Sequence, residues 1–455
     1  MQIWFHWAGT FELARSQLGD EYNLIAPEVE VVGTTSFTRR LGTAGWVASI
    51  TALAVSFLLA VVPTSAQKFN TIYPFTGGGD GGGAQSLLTD ASGNLYGVSF
   101  YGGNFSIDQG GFEHSFGTVF KLAPNGNLTT LHAFSGTDGF QPVALVRDAA
   151  GNSYGVTEIG GDLNCWGGVG CGVAYKIDTN GKFTVLHVFE QFPDGAWPMS
   201  LVIDSANNLY GTTQFGGKPG CSYNYGCGTV FKINSQGVFS TVYNLTGAAD
   251  GYWPAGTAAL DSAGYFYFTT EYNSTGAGSV LKLLPGGALK VLYSFTGGAD
   301  GATPAGVSLA PSGDLYGGTF FGGDNNNDGV LYKVTAAGVF SVVHTFTGSD
   351  GTNPTTPFTF DSNGNLYGTA IYGGNSINDP QCSPYGCGVA FKVTPSGQES
   401  TVHYFSGVVD GGFPYGLTLD SKGRLIGGTS SGGPFLPGGA PYSGTNGLVF
   451  ALTPQ

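Results

Sequence analysis

The chain has 455 residues, 79 of them glycine, with 14% aromatic and 10% charged residues and a formal net charge of −14. That composition excludes a coiled coil or helical bundle, which would need helix formers at a sustained helical period. It also excludes nucleic acid as a partner, because phosphate binding needs clustered Lys and Arg, and only 16 basic residues are spread along the chain.

Residues 1–37 fit neither a leader nor the repeat that follows, and are read as an over-long gene start or a disordered extension. Residues 38–66 read as a signal peptide: Arg39-Arg40, then the uncharged run "WVASITALAVSFLLAVV", then "PTSAQ" with cleavage after Ala66. The same run is long enough to remain as an uncleaved anchor, which is the alternative. The twin arginine lacks the apolar pair that usually follows it, so the general secretory route is expected. Residues 67–455 are then a single extracellular or periplasmic domain. Because "ALTPQ" directly follows the last repeat, release rather than anchoring is expected.

From Lys68 onward one unit recurs, approximately "LYSFTGGADGxxPxxLxxDxxGNLYGTTxxGGx(n)GTVFKLxPxGxxT". Its DG step falls at Asp80, Asp138, Asp194, Asp250, Asp300, Asp350 and Asp410, about fifty to sixty residues apart. In the second copy, β-branched and aromatic runs between Gly, Pro, Asn and Asp punctuation give four strands: "PVALVRD" from Pro142, "NSYGVTE" from Asn152, "GVAYKID" from Gly172 and "FTVLHVF" from Phe183. Four short strands in each of seven copies predict an all-β, seven-bladed β-propeller with four-stranded blades. "KFNTIYPF" matches only the fourth strand, whereas the chain closes on three strands, "PYGLTLD", "RLIGGTS" and "GLVFALT". The N-terminal strand is therefore expected to complete the last blade, leaving no free sheet edge.

The runs "NLYGT", "GTVFK" and "FTGGADG" resemble the Gloeo/Verruco ("GloVer") tandem repeat of bacterial secreted proteins, from Lys68 to Pro454. The resemblance implies an extracellular location and, in many members, a C-terminal sorting segment that this sequence does not show. It carries no catalytic residues to transfer.

Residues common to all copies are read as scaffold. The Asp of "DxxGN" (Asp90, Asp148, Asp204, Asp261, Asp361, Asp420) precedes a tight turn whose backbone N–H groups it can accept. The DG aspartates are read as turn caps; a ring of them binding Ca²⁺ is the alternative to having no cofactor. His132, His187, His344 and His403 share one repeat position with Tyr73, Tyr243 and Tyr293, and so read as amphipathic strand residues; only His114 is off-pattern. No metal site is expected.

The cysteines Cys165/Cys171, Cys221/Cys227 and Cys382/Cys387 lie in pairs inside the insert between second and third strands. In a secreted chain they are expected as disulfides. Blade six lies across the ring from blades two and three, so Cys382 is paired with Cys387 and local pairing is extended to the others; a cross-pair between blades two and three is the alternative.

Copy-to-copy variation concentrates on one face, where inserts and inter-blade links emerge together. The residue before the link proline is Trp197 in blade three and Trp253 in blade four, and the residue ending "YGTTx" is Glu158, Gln214 and Glu271 in blades two to four. The stapled loops add Trp166, Tyr223 and Tyr225. Aromatic faces beside carboxylate and amide groups suit a sugar. The expected function is a non-catalytic binding propeller for polysaccharide or envelope glycan. The alternatives are a protein-interaction or adhesion platform, and a glycan hydrolase or lyase using Glu158 and Glu271. Expected partners are a glycan or a cell-surface protein, the chain being a monomer that meets a membrane only if its N-terminal segment stays uncleaved.

Overall fold

The computed structural model describes residues 68–107, 113–219, 225–324, 326–375, 382–407, 409–432 and 446–453, together with the backbone alone at 106–107 and 113–114. The readings of residues 1–37 and 38–66 fall outside them. Among the described residues there is no helix long and apolar enough to cross a membrane.

The chain folds as a seven-bladed β-propeller in which each blade is an antiparallel sheet of four strands, running in sequence from the inner to the outer edge. Blade three is typical, with strands Ala196–Ile203, Leu209–Phe215, Thr229–Ile233 and Phe239–Asn244. In blade two the strands are Phe140–Arg147, Ser153–Ile159, Val173–Ile177 and Phe183–Val188, so the inner strand begins two residues earlier than "PVALVRD" suggests. Blade five alone has a split inner strand, Ala302–Pro304 and Ser308–Leu309. The last blade holds Gly412–Leu419, Leu425–Ser431 and Leu448–Leu452, and Phe69–Pro74 completes it with Phe69 opposite Leu452. Ring closure by the first strand is as the repeat phase requires.

Steric demands explain the repeat motif. In "NLYGT" the glycine lies directly across from the aromatic residue of "GTVFK", as in Gly211 opposite Phe231. A Cβ on Gly211 would strike the Phe231 ring and Ser200 O. The strand therefore gives up a side chain so that a large fully buried ring can fill the blade. Blade four reverses the arrangement: Phe268 stands at the glycine position and Leu281 at the aromatic one, paired in the same register and both buried. Bulk moves from one strand to the other while the filled volume is kept.

Each blade is fastened to the next by three contacts. At the first, the residue before the link proline adopts a left-handed conformation in six blades (Gln141, Trp197, Trp253, Thr303, Asn353 and Phe413, φ 54–60°), and in blade one, where Ala84 replaces the proline, the equivalent residue is Gly83. This turns its N–H back onto the preceding blade's insert: Trp197 N–H donates to Cys171 O at 3.0 Å, Trp253 to Cys227 O at 2.9 Å and Phe413 to Cys387 O at 2.8 Å. At the second, the link proline packs on the glycine that opens the preceding blade's third strand, with Pro198 over Gly172 and Pro254 over Gly228.

The third contact explains the His/Tyr position. Tyr73, His132, His187, Tyr243, Tyr293, His344 and His403 each donate to the carboxylate of the DG aspartate that follows, at 2.6–3.2 Å. The opposite oxygen or its neighbour takes a backbone N–H from the same turn, as Ser135 N–H does on Asp138 at 2.7 Å. The rings of His132, His187 and Tyr293 then stack at 3.6 Å on Phe183, Phe239 and Phe340 of the next blade. The "DxxGN" aspartates are turn acceptors, as read: Asp204 Oδ1 accepts the N–H groups of Ala206 and Asn208, and Oδ2 accepts Asn208 Nδ2. In blade five Ala310 replaces this Asp, and Asp314 pairs with Lys333 at 3.0 Å instead.

The glycine at the second contact can be tested directly. A Cβ on Gly228 (φ +91°) would collide with Thr213 O and come within 2.6 Å of Pro254 Cδ, whereas Gly237 (φ +83°) has nothing within 4 Å. Gly228→Ala should cost roughly 3 kcal/mol or more in denaturant unfolding, and Gly237→Ala about 1 kcal/mol, the left-handed penalty alone.

Candidate functional site

The variable face is built on the ends of the second strands. Glu158, Gln214 and Glu271 each stand one residue before the end of that strand in blades two, three and four. All three are buried, at 3%, 3% and 9% exposure, so none is a solvated surface group. Gln214 Nε2 donates to Glu271 Oε1 at 2.8 Å across the seam between blades three and four. Gln214 Oε1 and Glu271 Oε2 are shut from solvent and have no hydrogen-bond partner among the described residues.

Glu158 faces the other way around the ring. Its charge acts on Tyr101 of blade one and on Tyr415 of blade seven's inner strand. Burial pushes the Tyr415 phenol up, and the neighbouring Tyr101, Tyr372 and Glu158 reinforce the shift. Residues from blades one, two, six and seven therefore converge at one mouth of the ring. In blades five and six the positions equivalent to Glu158 are Phe320 and Ile371, which form an apolar cluster flanked by Tyr372, Phe413 and Tyr415. The mouth is thus divided into a polar arc over blades two to four and an apolar arc over blades five to seven. Behind Tyr415 the axial channel holds a cavity of about 310 Å³, lined by inner-strand residues including Gln85, Met199, Thr257 and Thr359.

The tryptophans pack as a ladder rather than standing open. Trp166 lies in the short 3₁₀ turn Cys165–Gly168 of blade two's insert, and its ring contacts Trp197 at 5.1 Å, Phe215 at 5.0 Å and Tyr225 at 5.2 Å. Phe215 in turn meets Trp253 at 5.2 Å, and Trp253 meets Tyr272 at 5.5 Å. Trp197 belongs to the core with 7% exposure, Trp166 and Trp253 are half-buried, and Tyr225 is 47% exposed. Within this ladder the most exposed ring is accordingly Tyr225, with Trp166 and Trp253 partly accessible. Trp197 fills a seam, which its left-handed backbone imposes by turning the ring against the neighbouring insert. Tyr223 and Cys221 lie outside the described residues, as does the side chain of His114.

The disulfides fix these inserts. Cys165–Cys171 and Cys382–Cys387 are local pairs with Cα atoms 5.6 and 5.0 Å apart, and Cys227 is also disulfide-bonded. Cys171, Cys227 and Cys387 are the residues whose carbonyls accept the link N–H groups, so the staples hold the acceptor side of three seams. The carboxylates of the DG aspartates are engaged in the turns described above.

Tyr101 and Tyr415 were not among the residues singled out from sequence. They come from different repeat positions in different blades, and only ring closure brings Tyr415 of blade seven towards Glu158 of blade two.

The two buried carboxyls have a common electrostatic signature. Burial raises Glu158 to about 7, and raises Glu271 to about 7 against the opposing effect of the Gln214 hydrogen bond. A raised carboxyl means that the folded state holds its proton more tightly than the unfolded chain does. The stabilising contribution is complete below the unfolded value of 4.5 and is lost as pH rises through about 7. Wild type should therefore lose stability between ~pH 5 and ~pH 8 relative to Glu158→Gln and Glu271→Gln, by on the order of 2 kcal/mol per carboxyl in urea titrations.

Seven blades joined in this way define a β-propeller with one elaborated mouth. The chain belongs to the Gloeobacter/Verrucomicrobia repeat family, whose model matches residues 62–278 and 256–455. No curated protein matches the sequence. Among solved structures, it is similar to a streptogramin B lyase (13% identity, TM-score 0.56, 86% of this chain and 98% of that one). It is also similar to a virginiamycin B lyase from Staphylococcus aureus (12% identity, TM-score 0.56, 85% and 99%). A third is the extracellular domain of a hybrid two-component system of B. thetaiotaomicron (13% identity, TM-score 0.51, 85% of this chain and 41% of that one). At these identities the likeness shows the fold alone.

Proposed function

We propose that the protein is a secreted binding propeller whose ligand sits on the divided mouth, and that the ligand is a carbohydrate from a polysaccharide or envelope glycan. The disulfide-stapled inserts and the absence of a membrane-crossing helix among the described residues are compatible with an extracytoplasmic setting. The observation that carries the reading is the exposed Tyr225 ring against Trp166 on rigid inserts, beside a polar arc in which Gln214 Oε1 and Glu271 Oε2 are left unpaired beneath the surface. Sugars present hydroxyl donors on their edges and apolar CH groups on their faces, and such a mouth offers both complements.

A catalytic reading, as hydrolase or lyase, has one specific observation in its favour. Glu158 carries a carboxyl raised to about 7 and has no hydrogen-bonding side chain among the described residues, which suits proton transfer near neutral pH. Glu271, by contrast, is engaged by Gln214, so the two do not act as an equivalent pair.

The test is polysaccharide pull-down and glycan-array binding with residues 67–455, comparing wild type, Tyr225→Ala and Glu158→Gln, with melting temperatures recorded alongside. Retention weakened tenfold or more by Tyr225→Ala at unchanged melting supports the reading. Retention untouched by both substitutions overturns the mouth as the site. No retention of any glycan favours a protein-interaction platform, and release of shortened product favours catalysis.

A further inference from the structure

We infer that the outer edge of the seam between blades five and six is a binding site for a divalent transition-metal ion of the zinc class, held by His344, Asp350 and Glu399. One ligand atom from each of these residues lies within 4.8 Å of the others. The site is distinct from the mouth, being built on outer strands.

One departure from the seam pattern marks the site. The residue opposite the last position of the third strand is Phe183, Phe239 and Phe340 in blades two, three and five, Leu128 and Leu289 in blades one and four, and Phe69 in the closing strand. Each phenylalanine covers the His or Tyr ring of the preceding blade, at 3.6 Å in three cases and 4.6 Å for Phe69 on His403. In blade six the same register position, opposite Val393, is Glu399. A carboxylate thus takes the place of the covering ring, next to a His344–Asp350 pair already 2.9 Å apart.

Glu399 is only partly satisfied there. Its Oε1 is shut from solvent and has no hydrogen-bond partner among the described residues, a costly state for a carboxylate unless a cation compensates it. His344 and Asp350 are the charged groups acting on it, and the balance is acidic: Asp324 and Asp350 also act on nearby Asp328. Asp328 Oδ2 lies beside Gly348 in the same turn as Asp350. One imidazole nitrogen with two carboxylate oxygens is a donor set for zinc and its neighbours, with water completing the shell; calcium and magnesium prefer oxygen alone. His344 escaped attention as a ligand because it falls on the repeat pattern, and only its partner in the next blade is unusual.

The pattern supplies the test. Glu399→Phe installs the residue found at three other internal seams, and His344→Tyr the residue found in three other blades, so both should fold. Chelator-stripped protein is titrated with ZnCl₂, NiCl₂, CaCl₂ and MgCl₂ by calorimetry and thermal melting. Wild type should bind one zinc ion and melt at higher temperature with it, with little response to calcium or magnesium. Glu399→Phe and His344→Tyr should lose zinc affinity at least tenfold. Should Glu399→Phe fail to fold, Glu399→Gln gives the same readout with the side-chain shape kept. Absence of zinc binding in wild type, or binding undiminished in the substituted proteins, overturns the inference; the three other His–Asp pairs persist in every variant and control for nonspecific uptake.

Discussion

The fold depends on how one blade is fastened to the next. At each seam a residue in a left-handed conformation returns its N–H to the preceding insert and an outer-strand His or Tyr is locked by a DG aspartate, and at six of the seven a proline covers a glycine, Ala84 taking its place in blade one. Three kinds of force meet there: a backbone hydrogen bond, close packing with no room for a Cβ, and a charge-assisted hydrogen bond. Because these duties fall on the same few positions in every copy, the repeat motif is mostly a description of a seam. Closure by Phe69–Pro74, which pairs the first strand of the chain with the last, makes the seven joints mutually dependent.

What the seams do not need is free to vary, and the variation collects at the ends of the second strands. There the chain places Glu158, Gln214 and Glu271 on one arc and Phe320 and Ile371 on the other, while Tyr415 spans towards Glu158 from the far side. Two buried carboxyls in a domain with few charges are unfavourable for stability, which is the expected mark of groups kept for a purpose other than folding. The disulfides fit the same division. They tie down inserts whose backbone carbonyls complete the seams and whose side chains, Trp166 and Tyr225, reach the rim.

The architecture was legible in the sequence because its signals are local and repeated. Glycine opposite an aromatic residue, proline after the DG step and aspartate before a tight turn are each dictated within a few residues, and the phase of the repeat reveals how the ring closes. Even the departure in blade four, Phe268 with Leu281, is readable as an exchange of volume. The site was legible only in part. The polar arc could be found from the positions that deviate, but the enclosure of Trp197 by Trp166 and Phe215 could not, because its left-handed backbone and the return of the insert are not written in any one repeat. The Tyr/His interchange was visible, yet its meaning required seeing that both rings reach the same aspartate. Tyr415 depends on a juxtaposition of blades far apart in the chain, where no periodic signal exists.

Equivalence of the seams is the central claim, and native-state hydrogen exchange at the link amides tests it most directly. The N–H groups of Gly83, Gln141, Trp197, Trp253, Thr303, Asn353 and Phe413 report one seam each. If the ring is a single cooperative unit, all seven should exchange only through global unfolding, with the closing seam at Gly83 as protected as the rest. A seam whose amide exchanges by orders of magnitude faster, through local opening while its neighbours stay protected, would contradict it.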